Sequence, residues 1–316
     1  MRSLYPATAP RRAEWLEVGD GHSIYFEEAG NPEGIPIVFL HGGPGSGCKP
    51  SHRQFFEPTR YRSFLFDQRG CGRSKPFGST QHNSTQALIS DLEALRRWAG
   101  VEAWALFGGS WGAALALAYA QFHPDRVLAM VLRGTFLARK RDLDWFMQVG
   151  AARLLPKAWA DFVASTREIG QSISALHDAV FGSDSTVAES AARAWAKWSN
   201  EVVMYAFDNA PGDAPEPLDH LLGKTRIELH YAINGYFLAD NELLTNAHKL
   251  PRVPIHVIHG QRDLTCAPEA GWAIHQAVPG STFEILRTAG HLSGEAPVQD
   301  ALLRAADAMA ERLEAR

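Results

Sequence analysis

The sequence predicts an α/β protein, a mostly parallel sheet flanked by helices, with a helical segment inserted ahead of the last strands. Three observations predict it. The stretch 103–120, AWALFGGSWGAALALAYA, passes from a short apolar run through a glycine-rich break into an alanine- and leucine-rich run, the pattern of strand, tight turn and buried helix. Strand-like runs recur on both sides of it and alternate with helical spacing. From 136 to about 250, in contrast, no strand-like run stands out.

The 316 residues exceed the usual size of one core, so the expected organisation is a large α/β core at 1–135 and 251–316 and a helical cap at 136–250. A hydrophobic content of 46% and a net charge of −4 give no reason to expect nucleic acid or an anionic membrane as partner. A small molecule or small peptide is the expected ligand. The first twelve residues lack a continuous apolar segment and no run approaches a membrane span, so neither export nor anchoring is expected and the cytosol is the default. Three cysteines, Cys48, Cys71 and Cys266, without a C-x-x-C pair read as free thiols; no disulfide scaffold and no metal site is expected.

Taken in order, 15–18 and 23–28 flank the turn signal Gly19-Asp20-Gly21 and read as an antiparallel hairpin at the sheet edge. Residues 36–40 form a buried strand that runs into His41-Gly42-Gly43-Pro44-Gly45. Such a loop can bring backbone N–H groups up to a developing oxyanion, so Gly43, or its neighbour Gly42, is a candidate donor. His41 is read as a brace of that loop. The strand 62–66 ends in Asp67-Gln68-Arg69-Gly70-Cys71-Gly72-Arg73-Ser74, where Asp67 is expected to pair with Arg69 or Arg73 in a structural role. A helix at 83–98, the strand 104–107, the helix after it and a strand at 127–133 complete the first half.

The turn at 108–112 matches G-x-S-x-G, in which a serine is lifted above the sheet on a strained turn, so Ser110 is the candidate nucleophile. The N–H of Trp111, next in the chain, is the second candidate oxyanion donor. The insertion carries Trp145, Trp159, Trp195 and Trp198 and a Pro/Asp/Gly loop at 208–217. The α/β pattern resumes with a strand at 254–259 followed by Gly260-Gln261-Arg262-Asp263, a helix at 268–277, a strand at 282–286, Ala289-Gly290-His291 and an amphipathic helix at 297–312. Ser110, Asp263 and His291 thus each follow a strand of one parallel sheet, in the order nucleophile, acid, base. Asp263 reads either as the acid of the triad or as a turn former. Cys71 and Cys266 lie close in sequence to these loops and are either inert buried thiols or groups whose modification blocks the site.

These residues resemble a known family. HGGPG, DQRGCGRS, GGSWG with LALAYAQFHP and VLRG, and the closing HGQRD and AGH blocks are similar to the proline iminopeptidases of the α/β-hydrolase superfamily, over nearly the whole chain. The resemblance implies removal of an N-terminal proline through an acyl-enzyme, in the cytosol, without metal or cofactor. It also implies carboxylates that hold the substrate ammonium. One is retained as Glu228; the second position is Ser199, with Glu201 two residues on, a displacement of about 200° on a helix, so Glu201 is not a simple substitute. Phe136 is retained for apolar contact with a proline ring, whereas an aromatic position after Arg226-Ile-Glu-Leu-His-Tyr231 is Ala232 here. A pocket wider and less acidic at one wall is expected, which leaves ester or other amide hydrolysis, and a non-catalytic binding module, as alternatives.

Overall fold

The computed structural model describes residues 1–207 and 216–315, so most of the loop expected at 208–217 lies outside the described residues. Eight strands, β1 (Arg12–Gly19), β2 (His22–Gly30), β3 (Ile35–Leu40), β4 (Tyr61–Phe66), β5 (Trp104–Gly109), β6 (Val127–Arg133), β7 (Ile255–Gly260) and β8 (Thr282–Leu286), form one sheet in the order β1-β2-β4-β3-β5-β6-β7-β8. β1 and β2 are the antiparallel hairpin, β2 is antiparallel to β4, and every pairing from β4 to β8 is parallel.

Helices α1 (Thr85–Trp98) and α2 (Trp111–Phe122) lie in the first half of the chain. Between β6 and β7 come α3 (Lys140–Asp144), α4 (Ala151–Leu154), α5 (Pro156–Ser165), α6 (Ile173–Phe181), α7 (Ser185–Val203), α8 (Leu218–Ile233) and α9 (Glu242–Thr245), with a π-helical turn at Trp145–Val149. α10 (Pro268–Ala277) and α11 (Ala296–Glu314) complete the chain. α1 begins two residues later than its spacing suggests: the Ser84 hydroxyl caps it by accepting from Ala87 N–H (3.2 Å). Asn83 is engaged elsewhere, donating to Arg69 O and Ser79 O.

Alternation along β5 sends its side chains to two separate cores. Leu106 packs on one face with Leu88, Leu92 and Leu115 of α1 and α2. Ala105 and Phe107 pack on the other, where Phe107 meets Phe39, Phe55 and Phe56 and where Leu302 and Met309 of α11 close the layer. Fully burying a side chain of this size stabilises by about 1.5–3 kcal/mol. β5, buried at all six positions, is therefore held far more firmly than β8, where every residue is at least partly exposed.

The residues between β6 and β7 bury a third cluster of their own, including Phe162, Leu176, Trp195, Trp198 and Leu229, which Leu264 of the loop after β7 joins. Trp145 Nε1 donates to Leu264 O (2.9 Å), fastening one side of the insertion to that loop. The other side is fastened at Asn83: its Oδ1 accepts from the Tyr231 hydroxyl (2.7 Å), and its carbonyl lies 2.8 Å from His230 Nε2. Among the described residues no helix is long and apolar enough to cross a membrane.

Candidate active site

Ser110 sits between β5 and α2 with φ 58° and ψ −126°, a backbone conformation that residues with a Cβ rarely adopt. Its N–H donates to Arg133 O at the end of β6 (2.9 Å), which holds the turn. Close approach explains the glycines on either side. A Cβ on Gly112 would stand 2.0 Å from Leu40 O, so α2 can pack against the end of β3 only with glycine there. A Cβ on Gly42 would come within 3.1 Å of both Gly109 O and the Ser110 Cβ. Ser110 is thereby presented at the carboxyl edge of the sheet where the strand order reverses between β3 and β5.

The other two residues of the expected triad converge on the same edge. His291 Nδ1 and Asp263 Oδ2 are 2.8 Å apart, and Asp263 Oδ1 accepts from Thr265 N–H (3.0 Å) and Cys266 N–H (2.8 Å). Cys266 links this pair to the serine, its Sγ lying 3.9 Å from Ser110 Oγ. A second link runs through Arg133, whose carbonyl accepts from Ser110 N–H and whose guanidinium donates to His291 O (2.6 Å). The Ser110 hydroxyl is turned toward Cys266 and makes no hydrogen bond to the His291 ring.

Electrostatics fix the protonation states. Burial pushes the Asp263 carboxyl up, but His291 and His259 together outweigh it and hold the group well below the usual carboxylate range. Burial pulls His291 down, opposed by Asp263 and reinforced by Arg133 and His259, with a net lowering. A neutral His291 that donates from Nδ1 to Asp263 leaves Nε2 as an acceptor. His259, which sequence reasoning overlooked, is fully buried with Nε2 2.9 Å from Cys266 O and 3.4 Å from Asp263 Oδ2. It stands four residues before Asp263, inside a strand, where a histidine gives no local sequence signal.

The glycine loop after β3 is braced from below. Gln68 N–H donates to His41 Nε2 (3.0 Å), Gln68 Nε2 donates to His41 O (2.8 Å), and Gln68 Oε1 accepts from Trp111 Nε1 (2.9 Å). His41 accepts at Nε2 and is held neutral by burial, in keeping with a bracing residue. Gln68 joins the loop to the start of α2, a role that the reading of 67–74 as structural did not specify. Asp67 pairs with Arg73 (2.9 Å) and accepts from Cys48 N–H (2.6 Å), whereas Arg69 pairs with Asp91 (2.7 Å) on α1. The N–H groups of Gly43 and Trp111 have no hydrogen-bond partner among the described residues.

The insertion supplies the opposite wall. Glu228 on α8 lies over the glycine loop, its Cγ 3.7 Å from where a Gly45 Cβ would stand, and its Oε2 accepts from Trp195 Nε1 (2.6 Å). Burial raises the Glu228 carboxyl, against the lowering effects of Lys224 and the Trp195 hydrogen bond. Phe136 packs its ring on Tyr236 (centroids 4.9 Å), which stacks in turn on Trp111 (5.5 Å). Glu201 is not brought to this site. It is exposed and lies within charge range of Lys157 on α5, because six residues past Trp195 is about 240° around α7. Ser199, four past Trp195, shares the tryptophan's side of the helix.

Tyr236 gave no sequence signal, and the expected widening at Ala232 did not take it into account. Ala232 is buried, and the ring of Tyr236 packs against Trp111 and Phe136. Tyr236 and Phe237 have φ 56° and 55°, which for residues with a Cβ costs on the order of 1–2 kcal/mol each.

Comparison with known proteins agrees with this architecture. The family described as the alpha/beta hydrolase fold matches residues 35–295. A probable proline iminopeptidase of Leptolyngbya boryana is 40% identical over 310 residues, 97% of this chain and 97% of that protein. Proline iminopeptidases of Xylella fastidiosa (strain Temecula1) and Arabidopsis thaliana are 41% and 40% identical, covering 97% and 98% of this chain and 99% and 82% of their own lengths. Among solved structures, an esterase from Rhodococcus (21% identity, TM-score 0.61, covering 97% of this chain and 100% of that one) shares the fold. So does a proline iminopeptidase-related protein from Thermus thermophilus (24%, TM-score 0.61, 96% and 99%). The chain belongs to the α/β-hydrolase fold family and, within it, to the proline iminopeptidases.

Proposed function

We propose that this serine hydrolase releases proline from the amino terminus of small peptides through an acyl-enzyme on Ser110, with 1–135 and 251–316 as the catalytic core and 136–250 as the cap that reads the substrate. His291 Nε2 takes the Ser110 proton as Oγ attacks the carbonyl of the first residue, and the imidazolium is stabilised by Asp263. The hydroxyl swings from Cys266 toward His291 for this step; in unliganded enzymes such bonds commonly tighten only with substrate in place. The N–H groups of Gly43 and Trp111, which have no hydrogen-bond partner among the described residues, receive the oxyanion, and Gly42 gives the close approach. His291 then protonates the leaving amine, and water repeats the sequence on the ester. No cofactor enters any step.

The observation that carries the substrate assignment is the Glu228 carboxylate above the glycine loop, with Oε2 taken by Trp195 and Oε1 free for an ammonium. Phe136 offers apolar contact to the ring of proline. The free thiols Cys48, Cys71 and Cys266 fit a reducing compartment, and we place the reaction in the cytosol. A panel of prolyl aryl amides with free amine, their N-acetyl counterparts and simple aryl esters tests the assignment. Free-amine prolyl amides are expected to have the highest kcat/KM; cleavage of acetylated amides or esters at equal or greater efficiency would replace it with a general ester or amide hydrolase, the reading that Ser199 in place of a second carboxylate favours.

A further inference from the structure

Gly235, Tyr236 and Phe237 form three successive left-handed residues (φ 56°, 56° and 55°), two of which carry bulky side chains. L-residues adopt this conformation singly at turns and seldom in series, so something external must hold the segment. Thr85 Oγ1 donates to Tyr236 O (2.5 Å) and Gln86 Nε2 donates to Phe237 O (2.9 Å), both from the first turn of α1. Phe237 N–H closes the turn on Asn234 O (3.0 Å). The backbone is thus clamped by the core into a shape its own residues disfavour. What that shape achieves is the position of one ring.

The Tyr236 ring stacks on Trp111 at 29° and stands on the edge of Phe136 at 74°. The first follows Ser110 directly; the second lies three residues past β6, beside Gly134, whose Cβ position is 3.0 Å from Asp263 Oδ2 and 3.3 Å from the His291 ring. A tyrosine used only to fill a core finds a partner for its hydroxyl, as Tyr231 does in Asn83. Tyr236 does not: its hydroxyl bonds to no described residue, although burial pushes it up from the ordinary tyrosine value and Cys266 and Glu228 lie within charge range of it. The ring is packed against Trp111 and Phe136, with its tip within charge range of Cys266 and Glu228.

We propose that Tyr236 is a specificity-determining residue, its ring forming the wall that limits the size of the substrate's first residue. This rests on the assignment of Ser110 as nucleophile and deepens the aminopeptidase reading. A first residue with its ammonium on Glu228 and its carbonyl at Ser110 extends its side chain toward Phe136 and Tyr236. A ring fixed by a clamped backbone cannot yield to a longer side chain as a flexible one would, so small and compact residues are selected.

The test compares wild type with Tyr236→Phe, Tyr236→Ala and Tyr236→Gly on free-amine 4-nitroanilides of proline, alanine, leucine and phenylalanine. Tyr236→Ala is expected to raise the leucyl-to-prolyl ratio of kcat/KM at least tenfold, mainly by lowering KM for the larger substrate. Tyr236→Phe keeps the ring and is expected to keep the wild-type ratio. If Tyr236→Ala does not fold, Tyr236→Gly, free of left-handed strain, takes its place. A ratio within twofold of wild type in the folded ring-less variant overturns the proposal. If wild type cleaves esters but no amide, the same variants are read on acetyl against hexanoyl aryl esters. A shift there upholds the wall while the aminopeptidase reading fails, and no shift in either series sinks the wall alone.

Discussion

The α/β core and the helical insertion build their halves of the site in different ways. The core places Ser110, Asp263 and His291 at the ends of parallel strands, held by backbone hydrogen bonds and by glycines where strand and helix nearly touch. The insertion places Glu228 and Tyr236 on and just after one helix, held by side chains: Trp195, Thr85 and the aromatic rings around them. In the proposed mechanism, chemistry that tolerates little displacement is mounted on backbone, and recognition, which differs from one substrate to another, on replaceable side chains.

Substitutions can break or sharpen that division. Ser110→Ala should lower kcat by several orders of magnitude, on the order of 10⁴ to 10⁶, with the thermal midpoint little changed, because nucleophile and base act as a unit. Retention of more than about one per cent of activity by a protein free of contaminating hydrolase would remove Ser110 from the reaction. Asp263→Asn should cost up to about 10⁴ in kcat by favouring the wrong His291 tautomer. It also bears on pH. Burial lowers the His291 pKa, and in the proposed mechanism the active form is the neutral ring. Activity should therefore be full at neutral pH and fall away on acidification, with a midpoint below the ordinary imidazole value of about 6.5. Asp263 raises that pKa, so its loss should move the acid limb lower still; a kcat/KM profile with its midpoint above 7 contradicts the assigned charges.

On the insertion side the expected effects are smaller and selective. Glu228→Gln replaces a charged hydrogen bond to the ammonium, worth about 1.5–3 kcal/mol, so kcat/KM for free-amine substrates should drop about 10- to 150-fold. N-acetyl substrates and esters should be nearly unaffected, and an equal loss on all of them would make Glu228 structural. The slowest effect concerns Cys266. Burial and the neighbouring Asp263 push its thiol well up, so alkylation at neutral pH should be slow. Once formed, an adduct 3.9 Å from Ser110 Oγ should abolish activity, and Cys266→Ser should resist the reagent; inhibition that persists in this variant points to another target.

The same division explains what could be read from the sequence. Buried parallel strands are mostly apolar runs that lead into glycine-rich loops, so β3 to β7, the turn at Ser110 and the loops carrying Asp263 and His291 stand out without coordinates. Gln68 and His259 do not, because a bracing amide and a histidine inside a strand resemble many others. On the helices, spacing alone separates Glu201 from the site once Trp195 is known to face inward. Tyr236 was illegible for a different reason: its left-handed backbone is imposed by Thr85 and Gln86, some 150 residues earlier, and no local pattern encodes a clamp of that kind.

The ties at Asn83 have a mechanical result. They anchor the carboxyl end of α8, the helix that bears Glu228, to the start of α1, and Trp145 ties the first part of the insertion to the loop after β7. The height of the carboxylate above the glycine loop is therefore set from the core, so a change at Asn83 would be felt at Glu228 without touching it.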